Sequence, residues 1–327
     1  MSGPNAFYNH LAKAAHDIGT PGHAGRSGYF SAPAGHLDPN LFDGDQVKQE
    51  LRSWITRTLR EFFHATPGID QWAEVWLAGS GISYQWEADR GNGDLDVLIG
   101  VDYSKFTHCN PAYAGLSSEE AAQFINDSLR KSLWPKTANT RIGTNTYEVT
   151  FYWNPAKGVR DITAIHPYAA YSLTRNQWTV RPPELPQDPR RLYPSEYTDA
   201  ADIDEQQARY LIDRYRSLQR QLTRLTKASP AWMNAATELK NTVAEAAQLF
   251  DSIHTGRQQA FTLNGDGYSD FTNFRWQSAK ERGIATALRE IKNIGTTAHE
   301  LTDTELYGQP IADARHALIN AALWGKR

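Results

Sequence analysis

The 327-residue sequence is poor in cysteine and has no long apolar run, and each of these absences excludes a class of protein. Its single cysteine, Cys109, excludes an internal disulfide framework and is ordinary for the reducing cytosol. No apolar stretch approaches the roughly 20 residues that a membrane span needs. The N-terminus lacks the charged-then-apolar pattern of an export signal. We therefore predict a cytoplasmic protein with no membrane partner.

The chain also lacks a strong charge of either sign. Its formal net charge is −3, which argues against a broad nucleic-acid-binding surface but leaves room for a local basic groove. The arginines in the helix predicted after residue 202 scatter around that helix, as they do on a solvated face. At roughly 150 residues per domain, the length predicts two domains.

Composition and periodicity divide the chain into three stretches. Gly and Pro are dense in residues 1–44, which predicts a loosely structured N-terminal segment. Residues 45–199 alternate helical and strand patterns, and end in an extended boundary that carries five prolines between 181 and 199. Residues 200–327 have the helical period, with helices predicted at about 202–225, from Ser229-Pro230 onward, 275–294 and 310–324. The predicted fold class is α+β: a mixed or antiparallel sheet flanked by helices, then an all-helical second domain.

Local patterns set the elements of the first domain. Asp45 is a plausible N-cap for a helix that runs to about Phe63. Ser117-Ser118-Glu119-Glu120 has the form of a capping box, and predicts a helix that ends near Trp134-Pro135. Two alternating runs, Thr146–Trp153 and Val159–Ile165, are separated by a turn sequence and predict a β-hairpin.

The stretch around which the chain is organised is Val75–Gly81, followed downstream by Gly93–Gly100. An apolar run ends in a Gly-Ser turn, and a second apolar run opens with Asp94 and Asp96. Because side chains alternate along a strand, both carboxylates face one way, whereas Leu95, Val97 and Ile99 face the core. Paired carboxylates repel unless a cation lies between them. The Gly-Ser turn lets backbone amides approach an anion such as a triphosphate.

Several simpler interpretations compete with this one. An isolated Asp-x-Asp often meets only solvent. Gly79-Ser80-Gly81 is not a dinucleotide fingerprint, since Tyr84 stands where the third glycine belongs, and no Gly-Lys-Ser/Thr of a P-loop follows. The Asn264–Gly267 segment suggests a calcium loop, but Arg275 occupies the position of its chelating Glu.

Gly-Ser, a spacer and Asp-x-Asp in a strand together resemble the DNA polymerase β-like nucleotidyltransferase superfamily. The resemblance covers roughly residues 45–175 and implies a nucleotidyltransferase-like sheet. The family pattern includes a third carboxylate on a neighbouring antiparallel strand. Asp161 matches it, in a predicted hairpin that looks like the one in cyclic GMP–AMP synthase and its bacterial relatives; Glu148 is the second candidate. Leu37–Gly44 and the helix after it also resemble uncharacterised phage-encoded nucleotidyltransferases.

The resemblance implies metal-dependent transfer of a nucleoside monophosphate from a nucleoside triphosphate to an acceptor hydroxyl. Asp94, Asp96 and Asp161 would be the catalytic carboxylates and would hold Mg²⁺ or Mn²⁺. The residues expected to bind the triphosphate are Gly79, Ser80 and Gly81. A nucleotide or RNA acceptor is favoured over the protein or small molecule that an adenylyltransferase would modify. The alternative from another class is a catalytically silent nucleotide-binding or virion-associated module.

Overall fold

A computed structural model describes residues 28–86, 93–154, 161–262 and 264–307. These residues divide into two compact units. The first unit contains residues 28–193 together with Gln259–Asp270, and the second contains Pro194–Gln258 and the described residues from Phe271 onward. The break after Tyr193 precedes the predicted boundary at 199–200, and the segment Gln259–Asp270 belongs with the first unit.

A six-stranded mixed sheet forms the centre of the first unit. Its strands are β3 (Ala73–Ala78), β4 (Gly93–Val101), β5 (Thr140–Ile142), β6 (Asn145–Trp153), β7 (Ala170–Ser172) and β8 (Gln177–Val180), and a separate two-stranded hairpin precedes them, β1 (Phe42–Asp43) and β2 (Gln46–Val47). The spatial order is β5-β6-β4-β3-β7-β8. Strands β4 and β6 run parallel, whereas the other neighbours run antiparallel.

Five helices belong to the same unit among the residues described: α1 (Gln49–Phe62), α2 (Ile69–Trp72), α3 (Tyr103–Cys109), α4 (Ser118–Ser128) and α5 (Trp134–Thr137). The capping box at the start of α4 is confirmed, because Ser117 and Glu120 exchange both hydrogen bonds. The predicted stop at Trp134-Pro135 is wrong. A π-helical turn, Leu129–Leu133, leads directly into α5, which carries Pro135 in its first turn.

Asp45 does not cap helix α1, contrary to the prediction. The helix begins after Lys48 without a side-chain cap, and Asp45 instead accepts a hydrogen bond from the Trp178 indole and pairs with Arg181. The N-terminal segment is also more ordered than predicted where it is described, since Leu41 and Phe42 are buried. Residues 1–27 lie outside the described part of the chain.

The main core of the first unit lies against one face of the sheet. Leu95, Val97 and Ile99 are fully buried there, which confirms the predicted alternation along β4. Trp153 at the end of β6 packs against the rings of Trp72 and Phe106, which also contact each other. The opposite face therefore carries the intervening residues, which include both aspartates of β4.

The prediction of a second hairpin strand at Val159–Ile165 is wrong for the residues that the structure describes. Ile162–Ile165 is a 3-10 helix, and residues 155–160 lie outside the described chain. The Asp161 carboxylate accepts hydrogen bonds from the amide and hydroxyl of Thr163. Such local bonds from an Asp side chain favour a turn over a strand. Strand β6 pairs antiparallel with β5 instead.

The second unit is helical throughout its regular structure: α6 (Ser195–Arg224), α7 (Pro230–Ala260), α8 (Phe271–Glu281) and α9 (Ile284–Tyr307). Leu211, Tyr215, Leu218 and Leu222 of α6 recur at helical spacing and are buried in one cluster, and Leu225 packs against it partly buried. The helix predicted at 275–294 is two helices, separated at Gly283 by a positive φ of 73°. The helix predicted at 310–324 lies outside the described residues. No helix in the described ranges is long and apolar enough to cross a membrane.

Candidate active site

The sheet places acidic side chains on the face opposite the main core. Asp94 and Asp96 are exposed residues of β4. On the parallel neighbour β6, Glu148 stands in register with Asp94, and Thr150 in register with Asp96. Residues in register on adjacent strands point to the same face. Three carboxylates from two strands therefore share one face of the sheet.

The Gly-Ser turn lies directly against these acids. A Cβ atom added to Gly81 would meet the Asp94 carbonyl oxygen at 2.1 Å. One added to Gly79 would meet Asp96 Oδ2 at 3.2 Å, and Gly79 has a φ of +90° that L side chains rarely adopt. The absence of a side chain at both positions is thus what lets the turn approach the acidic strand.

Backbone hydrogen bonds fix the turn. The Gly79 amide donates to the Ala169 carbonyl, so this amide is part of the hydrogen bonding of the sheet. The Ser80 carbonyl accepts from both the amide and the hydroxyl of Ser83, which closes the 3-10 turn Ser80–Ile82. Gly79 therefore contributes room beside Asp96, and any phosphate contact falls to Ser80 and Gly81.

Gln85 anchors the chain just after the turn. Its side chain is 1% exposed. The Gln85 amide nitrogen donates to the carbonyls of Tyr29 and Ser31, and its oxygen accepts from the hydroxyls of Tyr168 and Tyr268. This one side chain connects four separate segments of the first unit, since buried polar groups need such partners.

Two neutral donors orient the acids, and neither was identified from the sequence. The Thr150 hydroxyl donates to Asp96 Oδ1 at 2.7 Å, and the Trp134 indole donates to Glu148 Oε1 at 2.8 Å. The alternation along β6 offered a signal for Thr150, because polar Glu148 and Thr150 interrupt buried Tyr147, Val149 and Phe151. Trp134 offered none, since its role depends on how α5 packs.

Asp161 occupies a different place from the one predicted. It lies on no strand and caps the 3-10 helix Ile162–Ile165. Ile162 packs in a small cluster with Trp76 and Ala78, and Ala78 pairs with Asp96, so this helix covers the acidic face of the sheet. Hydrogen bonds from the Thr163 hydroxyl and amide hold the pKa of Asp161 below its ordinary value. Its carboxylate is ionised and exposed.

The carboxylates fit a hard divalent cation in donor type, since Mg²⁺ and Mn²⁺ prefer oxygen ligands. In the structure, however, no three His, Cys, Asp or Glu side chains among the described residues are grouped to hold a metal ion. Residues two apart on a strand are about 6.6 Å apart, whereas in-register residues on adjacent strands are about 4.8 Å apart. The shorter, in-register spacing is the one between Asp94 and Glu148.

No protein-family model, curated protein or solved structure matches this chain significantly.

Proposed function

We propose that the protein is a metal-dependent nucleotidyltransferase, with its active site at the acidic face of β4 and β6. The observation that supports this most is the contact between the Gly-Ser turn and the acidic strand. A Cβ atom at Gly81 would overlap the main-chain carbonyl oxygen of Asp94, and one at Gly79 would crowd the Asp96 carboxylate. A turn suited to phosphate, packed on the strand that carries a carboxylate pair, supplies the two parts that phosphoryl transfer needs.

Each residue has a definite role in this proposal. Asp94 and Asp96 would hold Mg²⁺ or Mn²⁺, and Thr150 fixes the Asp96 carboxylate through its 2.7 Å hydrogen bond. A bound cation would neutralise the triphosphate and lower the pKa of the attacking hydroxyl. The Ser80 hydroxyl and the backbone at Gly81 would orient the phosphates.

Glu148 replaces Asp161 as our choice for the third carboxylate. Glu148 stands in register with Asp94 on the adjacent strand, whereas Asp161 is tied to Thr163 outside the sheet. Asp161 stays a candidate proton acceptor, because it is ionised and its helix covers the same face of the sheet. A carboxylate must reach the proton through one hydrogen bond or one water to serve in that way.

The acceptor we propose is a nucleotide or an RNA 3′ hydroxyl. The helical second unit supports this choice, since larger members of the resembled superfamily have a helical domain after the catalytic one. A protein side chain or a small molecule is the second choice. RNA binding would weaken with salt, because phosphate contacts release counterions.

The proposal is tested by incubating the purified protein with each of the four α-³²P-labelled triphosphates, with Mg²⁺, with Mn²⁺ or with EDTA. We expect labelled product and pyrophosphate release only with metal. A product formed by the protein alone identifies a nucleotide acceptor, and one formed only with added RNA identifies RNA. Label on a polypeptide in a denaturing gel identifies a protein acceptor.

The matched control is the Asp94→Asn, Asp96→Asn double variant, which removes charge but little volume. Product that persists in this variant would contradict the site assignment. No turnover with any triphosphate and any acceptor, combined with retained triphosphate binding, would instead show a silent nucleotide-binding module.

A further inference from the structure

Trp134 contacts the acidic face from outside the sheet. Its indole nitrogen donates to Glu148 Oε1 at 2.8 Å, although 43% of the residue is exposed to solvent. Large apolar side chains are usually buried to a greater extent. This ring is thus placed by a hydrogen bond to a carboxylate rather than by deep packing.

The backbone at Trp134 is rigidly held. The π-helical turn just before it, Leu129–Leu133, is anchored by two buried leucines at its ends. One turn after Trp134, the Thr137 hydroxyl donates to the Val149 carbonyl at 2.8 Å, next to Glu148 on β6. A π-helical turn adds a residue to the helical register and is frequent at functional sites. Here it sets the direction from which the indole reaches Glu148.

The hydrogen bond constrains a flexible acid. A free Glu side chain samples many rotamers, and restricting it costs conformational entropy. A donor held by a helix supplies that restriction before any ligand arrives. The bond engages Oε1 of the Glu148 carboxylate. Such partners fix the orientation of ligating carboxylates.

We propose that Trp134 is a positioning residue for Glu148, which it holds in the orientation needed at the acidic face. This role rests on the proposed function, because it assigns Glu148 to the cation. Trp134 itself touches neither substrate nor cation in this proposal.

The test is a double-mutant cycle between Trp134→Phe and Glu148→Ala. Trp134→Phe keeps an aromatic ring but removes the N–H, and Glu148→Ala removes the carboxylate that accepts the hydrogen bond. The readout is the Mn²⁺ dissociation constant in the presence of a non-hydrolysable triphosphate, measured by titration calorimetry. The melting temperature of every variant is measured in parallel.

Trp178→Phe is the matched control. The Trp178 indole also donates to a carboxylate, Asp45 Oδ1 at 3.0 Å, but Trp178 lies on β8 at the far edge of the sheet. We expect Trp178→Phe to leave Mn²⁺ binding unchanged.

We expect Trp134→Phe to weaken Mn²⁺ binding by about tenfold, the usual effect of losing a hydrogen-bond partner of a metal ligand. In the Glu148→Ala background the same substitution should have no further effect, because the acceptor of the hydrogen bond is already gone. Equal weakening in both backgrounds, or none in either, would overturn the positioning role while leaving the nucleotidyltransferase proposal intact. Wild-type protein that binds the triphosphate equally with and without Mn²⁺ would overturn both.

Discussion

Gly81→Ala tests the contact on which the candidate site depends. The new Cβ would lie 2.1 Å from the Asp94 carbonyl oxygen, and real Cβ atoms essentially never come closer than 3.0 Å. The turn and β4 must therefore separate by about 0.9 Å at this point, and both are backbone, which does not yield as a side-chain end does. The separation moves the Gly-Ser turn away from the acids.

The expected cost is that of overpacking a filled site, about 1 to 3 kcal/mol. For a unit of this size, each kcal/mol lowers the melting temperature by about 2 to 4 °C. We therefore expect Gly81→Ala to melt about 2 to 12 °C below the parent in a thermal scan followed by circular dichroism. Triphosphate binding, measured by calorimetry at a temperature where the variant is folded, should also be lost.

Gly115→Ala is the control, since no atom lies within 4 Å of a Cβ added there. Alanine at such a position is neutral or slightly stabilising, because it lowers the entropy of the unfolded chain. If Gly81→Ala and Gly115→Ala melt together and bind triphosphate equally, the turn does not touch β4 as described, and the argument for the site fails.

Asp94→Asn with Asp96→Asn should abolish transfer but leave the melting temperature equal or slightly higher, because removing like charges relieves repulsion; melting well below the parent would show a structural role. Glu148→Ala should lower kcat/KM more than Asp161→Ala, and the reverse ranking would restore Asp161 as the third carboxylate. Burial raises the pKa of Tyr113 from 10.0 to about 12. Because the pKa is higher in the folded state, the stability that the protonated phenol contributes is complete below the unfolded pKa near 10 and is lost as the pH rises to about 12. Between pH 9 and 12 the parent should therefore lose about 1 to 2 kcal/mol more unfolding free energy than Tyr113→Phe. Denaturant titrations measure this difference. Equal losses in both proteins would contradict this assignment.

The sequence by itself determined the local periodicity and the turn chemistry, because both are properties of contiguous residues. The alternation of Asp94 and Asp96 with buried Leu95 and Val97 follows from the two-residue period of a strand. The capping box at Ser117 follows from side chains three residues apart. Helical seams of the second unit follow from the 3.6-residue period in the same way.

Only the tertiary structure decided which third acid stands beside Asp94. The answer depends on the parallel pairing of β4 with β6, which joins residues more than fifty positions apart. The sequence signal at Val159–Ile165 was misleading, because bonds between Asp161 and Thr163 offer the backbone a turn in place of a strand. The role of Trp134 could not be predicted from the sequence, because its hydrogen bond to Glu148 exists only once the π-helical turn packs on β6. Register between strands and helix placement are set by burial across the whole unit, and no short window of sequence contains that information.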